Sequence, residues 1–104
     1  MEYYYVDGEI REDWTGGKVI GFYDNGEIHE EWRGGRQLGF VENDEIHEEW
    51  RGGKQIGAVA NGGVYKDWRG GSFIGNARDY TIHGLEHNEP AMVACWHFLI
   101  RKIF

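Results

Sequence analysis

A chain of 104 residues is the size of one compact domain, and its 40% apolar and 28% charged residues indicate a globular protein rather than a disordered one. A formal net charge of −7 without a separate basic cluster argues against a nucleic-acid partner, because an acidic surface repels phosphate backbones. The single cysteine, Cys95, excludes a disulfide framework. The first residues carry neither the basic start nor the apolar run of a signal peptide, so we expect a cytoplasmic protein.

The dominant feature of the chain is an eighteen-residue unit written four times, with units that start at residues 8, 26, 44 and 62. Every unit has a Trp, a Gly-Gly pair, and an Ile or Leu followed by Gly. Short runs of strand-forming residues lie between these turn signals. The repeat therefore predicts a mainly β protein in a single domain of residues 1–104: four β-hairpins in a meander over residues 2–83, followed by one C-terminal α-helix.

Two turn signals separate the strands of each unit. The first is a pair of residues that tolerate positive φ at both centres of a type I′ turn: Asp7-Gly8, Asn25-Gly26, Asn43-Asp44 and Asn61-Gly62. The second is the Gly-Gly pair. If this turn is also tight, Ile28, Gly39 and Val41 share one face of the sheet, while His29, Leu38 and Phe40 share the other. Tight turns also oppose an acid to a base across three hairpins, namely Asp13 to Lys18, Glu31 to Arg36 and Glu49 to Lys54.

Both faces of such a sheet are partly apolar, which favours a sheet covered on both sides. A ring or small barrel with pseudo-four-fold symmetry, closed and with the helix over one surface, satisfies this pattern. A half-unit precedes the first copy at Tyr5, and another follows the last copy at Ile82 and His83. These half-units could pair and close a ring, or they could cap an open array.

Residues 88–104 are predicted to form the helix, with Asn88 as the N-cap and Pro90 in the first turn. The segment is apolar nearly all round, and His97 and Arg101 belong to a narrow polar stripe. Three interpretations are open: a lid packed on the β-sheet, an interface for a protein partner or a homo-oligomer, and an anchor in a membrane surface. The apolar stretch is shorter than the roughly 20 residues that span a bilayer, so we do not expect a transmembrane helix.

The stretch from Ile28 to Gly39, Ile-His-Glu-Glu-Trp-Arg-Gly-Gly-Arg-Gln-Leu-Gly, and its copies resemble the bacterial four-fold β-flower domain family. The resemblance covers most of the chain outside the helix. It implies four hairpins about a pseudo-four-fold axis, and it implies no settled activity. The part from Trp32 to Gly39 also resembles a piece of a MORN repeat, a hairpin array associated with membrane surfaces and protein partners, although the unit of eighteen residues is shorter than that family's.

The repeated tryptophans, with the arginines that follow them, are the candidate ligand-binding residues. Aromatic rings can stack on a ligand, and guanidinium groups would lie nearby. The set comprises Trp14, Trp32, Trp50, Trp68, Arg33, Arg51 and Arg69. The alternative interpretation is that equivalent tryptophans form a repeated hydrophobic core.

Histidine recurs at one position of the repeat together with neighbouring acids, and this donor set suits zinc or another divalent metal ion. The candidate metal ligands are His29, His47, His83, Glu31 and Glu49. The alternative is an ordinary solvated strand surface, because Arg11 and Tyr65 occupy the same position in other units.

The sequence contains no nucleophile elbow, phosphate-binding loop or dinucleotide-binding motif. We therefore expect a non-catalytic binding or scaffold module rather than an enzyme, with no obligatory cofactor. The alternative is a small metal-dependent or ligand-binding protein that uses the His and Glu positions of the repeats.

Overall fold

The computed structural model describes residues 1–31 and 34–104, which form one antiparallel β-sheet of nine strands and a C-terminal helical segment. Neighbours in the sheet are neighbours in sequence, so the sheet is an open meander with β1 and β9 at its two edges. The strands are β1 (Tyr3–Val6), β2 (Glu9–Glu12), β3 (Val19–Asp24), β4 (Glu27–Glu30), β5 (Gln37–Glu42), β6 (Glu45–Glu48), β7 (Gln55–Ala60), β8 (Gly63–Lys66) and β9 (Phe73–Asn76). The predicted mainly β meander with one C-terminal helix is confirmed.

The turns at the start of each unit have the backbone that their residue types predict. Both central residues have positive φ in three of them, for example +52° at Asn25 and +90° at Gly26. In the turn of Asn43 and Asp44, Asn43 has a φ of +56°. These turns join β1 to β2, β3 to β4, β5 to β6 and β7 to β8, and they all lie at the same end of the sheet.

The Gly-Gly loops at the opposite end are longer than a tight turn, so this prediction was wrong. In the first unit the amide of Glu12 donates to the carbonyl of Lys18 at 3.0 Å, which leaves a loop of residues 13–17. Asp13 does not oppose Lys18 but takes a φ of +76° inside the loop. Glu49 behaves in the same way, with a φ of +64°. No acid–base pair of the predicted kind is therefore present in the described part of these loops.

A β-bulge follows each of these loops and changes which face its residue occupies. The register shifts by one residue between Ile28 and His29, so that Leu38 is the extra residue on β5. The equivalent extra residues in the other hairpins are Ile20, Ile56 and Ile74. The prediction that Leu38 shares a face with Phe40 was wrong, because Leu38 lines a space together with Phe98 of the C-terminal segment.

The core follows the eighteen-residue spacing of the sequence. Five aliphatic residues at one repeat position are fully buried: Ile10, Ile28, Ile46, Val64 and Ile82. Val41 and Val59 lie beside them on the same face, as the predicted alternation requires. We call this face of the sheet the core face, because the C-terminal helical segment packs on it. The opposite face, here called the outer face, carries the buried side chains of Phe22, Phe40 and Ala58.

The sheet is strongly curved, since its two edges are joined by a short connection. After β9 the chain forms a 3₁₀-helical turn over Ala77–Tyr80, and His83 then makes a parallel bridge to Tyr4 of β1. The amide of Tyr5 donates to the carbonyl of His83 at 2.8 Å, and the amide of His83 donates to the carbonyl of Tyr3 at 2.9 Å. Seven residues reach at most about 25 Å, which limits the separation of the two edges.

The helix α1 spans Glu89–Cys95 and continues as a π-helical turn over Trp96–Ile100. The side chain of Asn88 accepts a hydrogen bond from the amide of Ala91 at 3.4 Å, so the predicted N-cap is present. The five residues Ala91–Cys95 are all buried within the chain. The helical segment thus packs as a lid, and an interface between copies through this helix stays a prediction. The helix does not reach residue 104 as predicted, because helical structure ends at Ile100.

The last residues fold back over His97 instead of continuing the helix. Its Nδ1 accepts hydrogen bonds from the amides of Ile103 at 2.9 Å and Phe104 at 3.2 Å. Burial, and then the positive charge of Lys102, lower the pKa of His97 to about 4, so the ring is neutral and its Nδ1 lone pair is available. Burial also raises the pKa of the Cys95 thiol far above its usual range, which agrees with a packing role.

Glycines of the core face make room for this segment. A Cβ added at Gly21, Gly39 or Gly57 would lie within 3.0 Å of side-chain atoms of Leu99, Phe98 or Phe104, respectively. Each glycine is the one that follows the bulged Ile or Leu of its unit. In the first three units the Ile-Gly or Leu-Gly pair therefore forms the bulge and leaves room for an apolar side chain of the C-terminal segment.

Candidate ligand-binding loops

The Gly-Gly loops carry the tryptophans, and we call residues 13–17, 49–53 and 67–71 the Trp loops. Each closes with a hydrogen bond from the second glycine to the tryptophan carbonyl: Gly17 to Trp14, Gly53 to Trp50 and Gly71 to Trp68, all at 2.9 Å. The equivalent loop of the second unit contains Trp32 and Arg33, which lie outside the described residues.

The two glycines of a Trp loop have different roles. The first adopts a positive φ in two loops, +89° at Gly52 and +103° at Gly70, a conformation that is strained for other residues. The second, Gly53 for example, packs so closely on a backbone carbonyl, that of Glu48, that a Cβ would lie within 3.0 Å of it. The Gly-Gly pair is thus a requirement of this loop rather than of a two-residue turn.

In each of the first three units, a polar side chain on the outer face contacts a backbone carbonyl of the Gly-Gly loop. His47 Nδ1 lies 2.8 Å from the carbonyl oxygen of Gly53, and its Nε2 lies 3.0 Å from Glu45 Oε1. His29 makes the same two contacts, with Gly35 at 2.7 Å and Glu27 at 3.0 Å.

In the first unit Arg11 takes the place of the histidine. It donates to the carbonyl of Gly17 at 2.7 Å and forms an ion pair with Glu9. Arg11 thus makes the same two contacts as the histidines, one with a loop carbonyl and one with the acid two residues earlier. We call these three side chains the loop clamps.

The structure does not bring the predicted metal ligands together. The acid beside His47 is Glu45, two residues earlier on the same face, whereas Glu49 is exposed in the Trp loop. Glu31 is likewise exposed, and the partner of His29 is Glu27. Glu31 and Glu49 are also two residues from their histidines, but β4 ends at Glu30 and β6 ends at Glu48, so strand alternation does not extend to them.

His83 lies at the junction of the sheet edges, away from the loop clamps. Its Nε2 is 2.6 Å from Glu2 Oε1, its Nδ1 is 3.5 Å from Glu86 Oε2, and its ring stacks on Tyr4. Hydrogen bonds from the backbone amides of Glu86 and Gly84, together with the charge of His83, lower the pKa of the Glu86 carboxyl. Residues 1–31 and 34–104 contain no group of three or more His, Cys, Asp or Glu side chains placed to hold a metal ion.

The tryptophans of the Trp loops are exposed, so the interpretation of a repeated tryptophan core was wrong. Trp14, Trp50 and Trp68 expose 63%, 60% and 62% of their surfaces. The repeated core is made of the aliphatic residues of the strands instead. The tryptophans lie beyond the strand ends, and strand alternation does not extend into the loops.

Arg51 and Arg69, which follow Trp50 and Trp68, lie against the outer face. The guanidinium carbon of Arg51 is 5.1 Å from the centroid of the Phe40 ring, a cation–π distance. In the next unit Arg69 and Trp68 line an open cavity of about 290 Å³ above Ala58, the residue equivalent to Phe40. The structure thus groups two of the predicted ligand-binding residues around one concave surface.

Comparison with known proteins adds no relative. No protein-family model matches the chain, and neither the curated proteins nor the solved structures give a significant match. The resemblance to the β-flower family and to MORN repeats therefore stays a prediction. In the part of the chain that the structure describes, no helix has the length and apolar character needed to cross a membrane.

Proposed function

We propose that this protein is a non-catalytic binding module that uses the Trp loops as its contact surface. The observation that carries the proposal is the exposure of Trp14, Trp50 and Trp68, each at about three fifths of its surface. A large aromatic side chain held in water at equivalent places of several units contributes little to folding. Exposed aromatic residues of this kind are enriched in binding surfaces.

The loops hold these side chains on a fixed scaffold. Every Trp loop is closed by backbone hydrogen bonds at both the strand end and the turn. In the first three units a loop clamp adds one side-chain contact to a carbonyl of the loop. Preorganised loops reduce the entropy that binding costs, which is an arrangement suited to recognition.

A triple variant, Trp14→Ser, Trp50→Ser and Trp68→Ser, tests the proposal. We expect its melting temperature to stay close to that of the wild type, since the substituted side chains are exposed. Both proteins are then screened by NMR against soluble oligosaccharides, proline-rich peptides and small aromatic amines. The proposal requires at least one ligand that the wild type binds and the triple variant does not. A screen without such a ligand argues against the Trp loops as the contact surface.

We also propose that the four hairpins are arranged about a common axis and that the half-units complete the ring. The same bulge recurs in all four hairpins, and the bridge between Tyr4 and His83 joins the two ends of the array. The amides of Tyr5 and His83 should then exchange with solvent as slowly as those of central strands. Rapid exchange of both amides would contradict closure.

A further inference from the structure

The cavity beside Trp68 lies at Ala58, where the repeat has a methyl group in place of the aromatic ring of the two preceding units. Phe22, Phe40, Ala58 and Asn76 are equivalent by the eighteen-residue spacing, and the last two have no ring. Arg51 covers the ring of Phe40, and Arg69 is its equivalent one unit later. Because Ala58 offers only a methyl group, the surface beneath Arg69 and Trp68 is concave.

The chemistry of the cavity indicates what could occupy it. Trp68 and Arg69 can both contact the face of an aromatic ring, by stacking and by a cation–π interaction. Asp44 and Glu45 also line the cavity, so its lining has two carboxylates and one guanidinium. Glu45 is already paired with His47, which leaves Asp44 as the carboxylate open to a ligand.

We propose that this cavity binds a small aromatic amine, with the ring beneath Arg69 and Trp68 and the ammonium group toward Asp44. The volume of about 290 Å³ is near the lower end of the range for ligand pockets, roughly 300–1,000 Å³, and suits a molecule with a single ring. The proposal rests on the proposed function, because Trp68 is one of the exposed tryptophans.

Phenethylamine is the probe, and its binding is measured by two-dimensional NMR on the full chain. We expect saturable shifts at the Trp68 indole and at the amide of Asp44. Cyclohexylethylamine keeps the charge but lacks the aromatic ring, and 2-phenylethanol keeps the ring but lacks the charge. Each should bind about tenfold more weakly or worse if ring and charge are both recognised.

Ala58→Phe is the decisive variant, because it places in the cavity the ring that Phe40 has one unit earlier. It should raise the Kd for phenethylamine about tenfold or more. Trp68→Ala and Asp44→Asn should each weaken binding, and they keep the test valid if Ala58→Phe does not fold. Asp24→Asn is the matched control: it removes an acid near an equivalent turn, does not line the cavity, and should leave the Kd unchanged.

The outcomes separate this inference from the proposed function. Absence of phenethylamine binding, or binding that Ala58→Phe and Trp68→Ala both leave intact, overturns the inference. If a peptide or an oligosaccharide instead binds in a manner that requires the Trp loops, the proposed function stands and the aromatic-amine site falls. If a peptide with an N-terminal phenylalanine binds at this cavity much more tightly than phenethylamine, the occupant is a polypeptide end and not a free amine.

Discussion

Replacing Gly39 by alanine should destabilise the protein, although alanine is ordinarily the better residue in a strand. The new Cβ would lie within 3.0 Å of several ring atoms of Phe98, a separation that real Cβ atoms do not show. The ring would have to move toward ordinary contact distance in a packed core, which typically costs about 1–3 kcal/mol. The strand preference for alanine over glycine returns roughly 0.5–1 kcal/mol. We therefore expect a net loss of about 1–2 kcal/mol, or roughly 4–10 °C in melting temperature for a chain of this size.

Gly75 provides the control, because it occupies the same position of the repeat without the close contact. A Cβ there would meet its nearest atom, Tyr80 Oη, at 3.5 Å, which is ordinary van der Waals contact. Gly75→Ala should be neutral or stabilising by about 0.5 kcal/mol. Urea unfolding monitored by circular dichroism measures both variants. Equal effects of the two substitutions would refute the reasoning, as would a cost of Gly39→Ala that persists unchanged when Phe98 is first replaced by alanine.

Three other predictions concern the polar contacts of the fold. The pKa of His97 is lowered to about 4 in the folded state, against about 6.5 when unfolded, so its contribution to stability is present above pH 6.5 and is lost as the pH falls toward 4. The loss of unfolding free energy is at most about 3 kcal/mol, and roughly half of that for a partly exposed ring. In His97→Asn the side-chain oxygen can accept hydrogen bonds from the same two amides but does not titrate. This variant should therefore flatten the pH dependence of stability measured by urea unfolding. His47→Ala should lower the unfolding free energy by about 1–2 kcal/mol, because it removes both clamp contacts. His47→Arg should lower it clearly less, because Arg11 makes the equivalent contacts in the first unit. Equal melting temperatures of the two variants would contradict the role of His47 as a clamp. Asn88→Ala should cost about 0.5–1 kcal/mol by removing the N-cap, while Asn88→Asp should retain most of it, and thermal unfolding distinguishes the two.

Local backbone preferences made much of this fold predictable. The pair Asn25-Gly26 predicts positive φ at both residues, and the structure has it. The spacing of Ile28 and Ile46 predicts a repeated core, and both residues are fully buried. These features depend on neighbouring residues or on simple alternation, and a sequence displays both directly.

The loops were not predictable in the same way. The sequence is compatible with a tight Gly-Gly turn and with a five-residue loop followed by a bulge, because the strand residues are much the same in both. The two conformations differ at Asp13, which adopts positive φ only in the longer loop. That choice depends on the approach of a backbone carbonyl to Gly17, which is a tertiary contact. The exposure of Trp14 follows from the same loop geometry. The end of the helix is another such case, since it depends on hydrogen bonds from the last amides to His97.

The outer-face packing between the third and fourth units differs from that between the second and third. Ala58 pairs with Tyr65 across the strands, where the preceding unit pairs Phe40 with His47. A smaller residue on one strand is therefore matched by a larger one on the other. Gly63 takes the place of Glu45, and a Cβ there would lie 2.9 Å from Tyr65 Oη, so glycine makes room for the tyrosine. The fourth unit thus has no acid for a clamp contact at the position of Glu45, and the cavity beside Ala58 lies beneath its Trp loop.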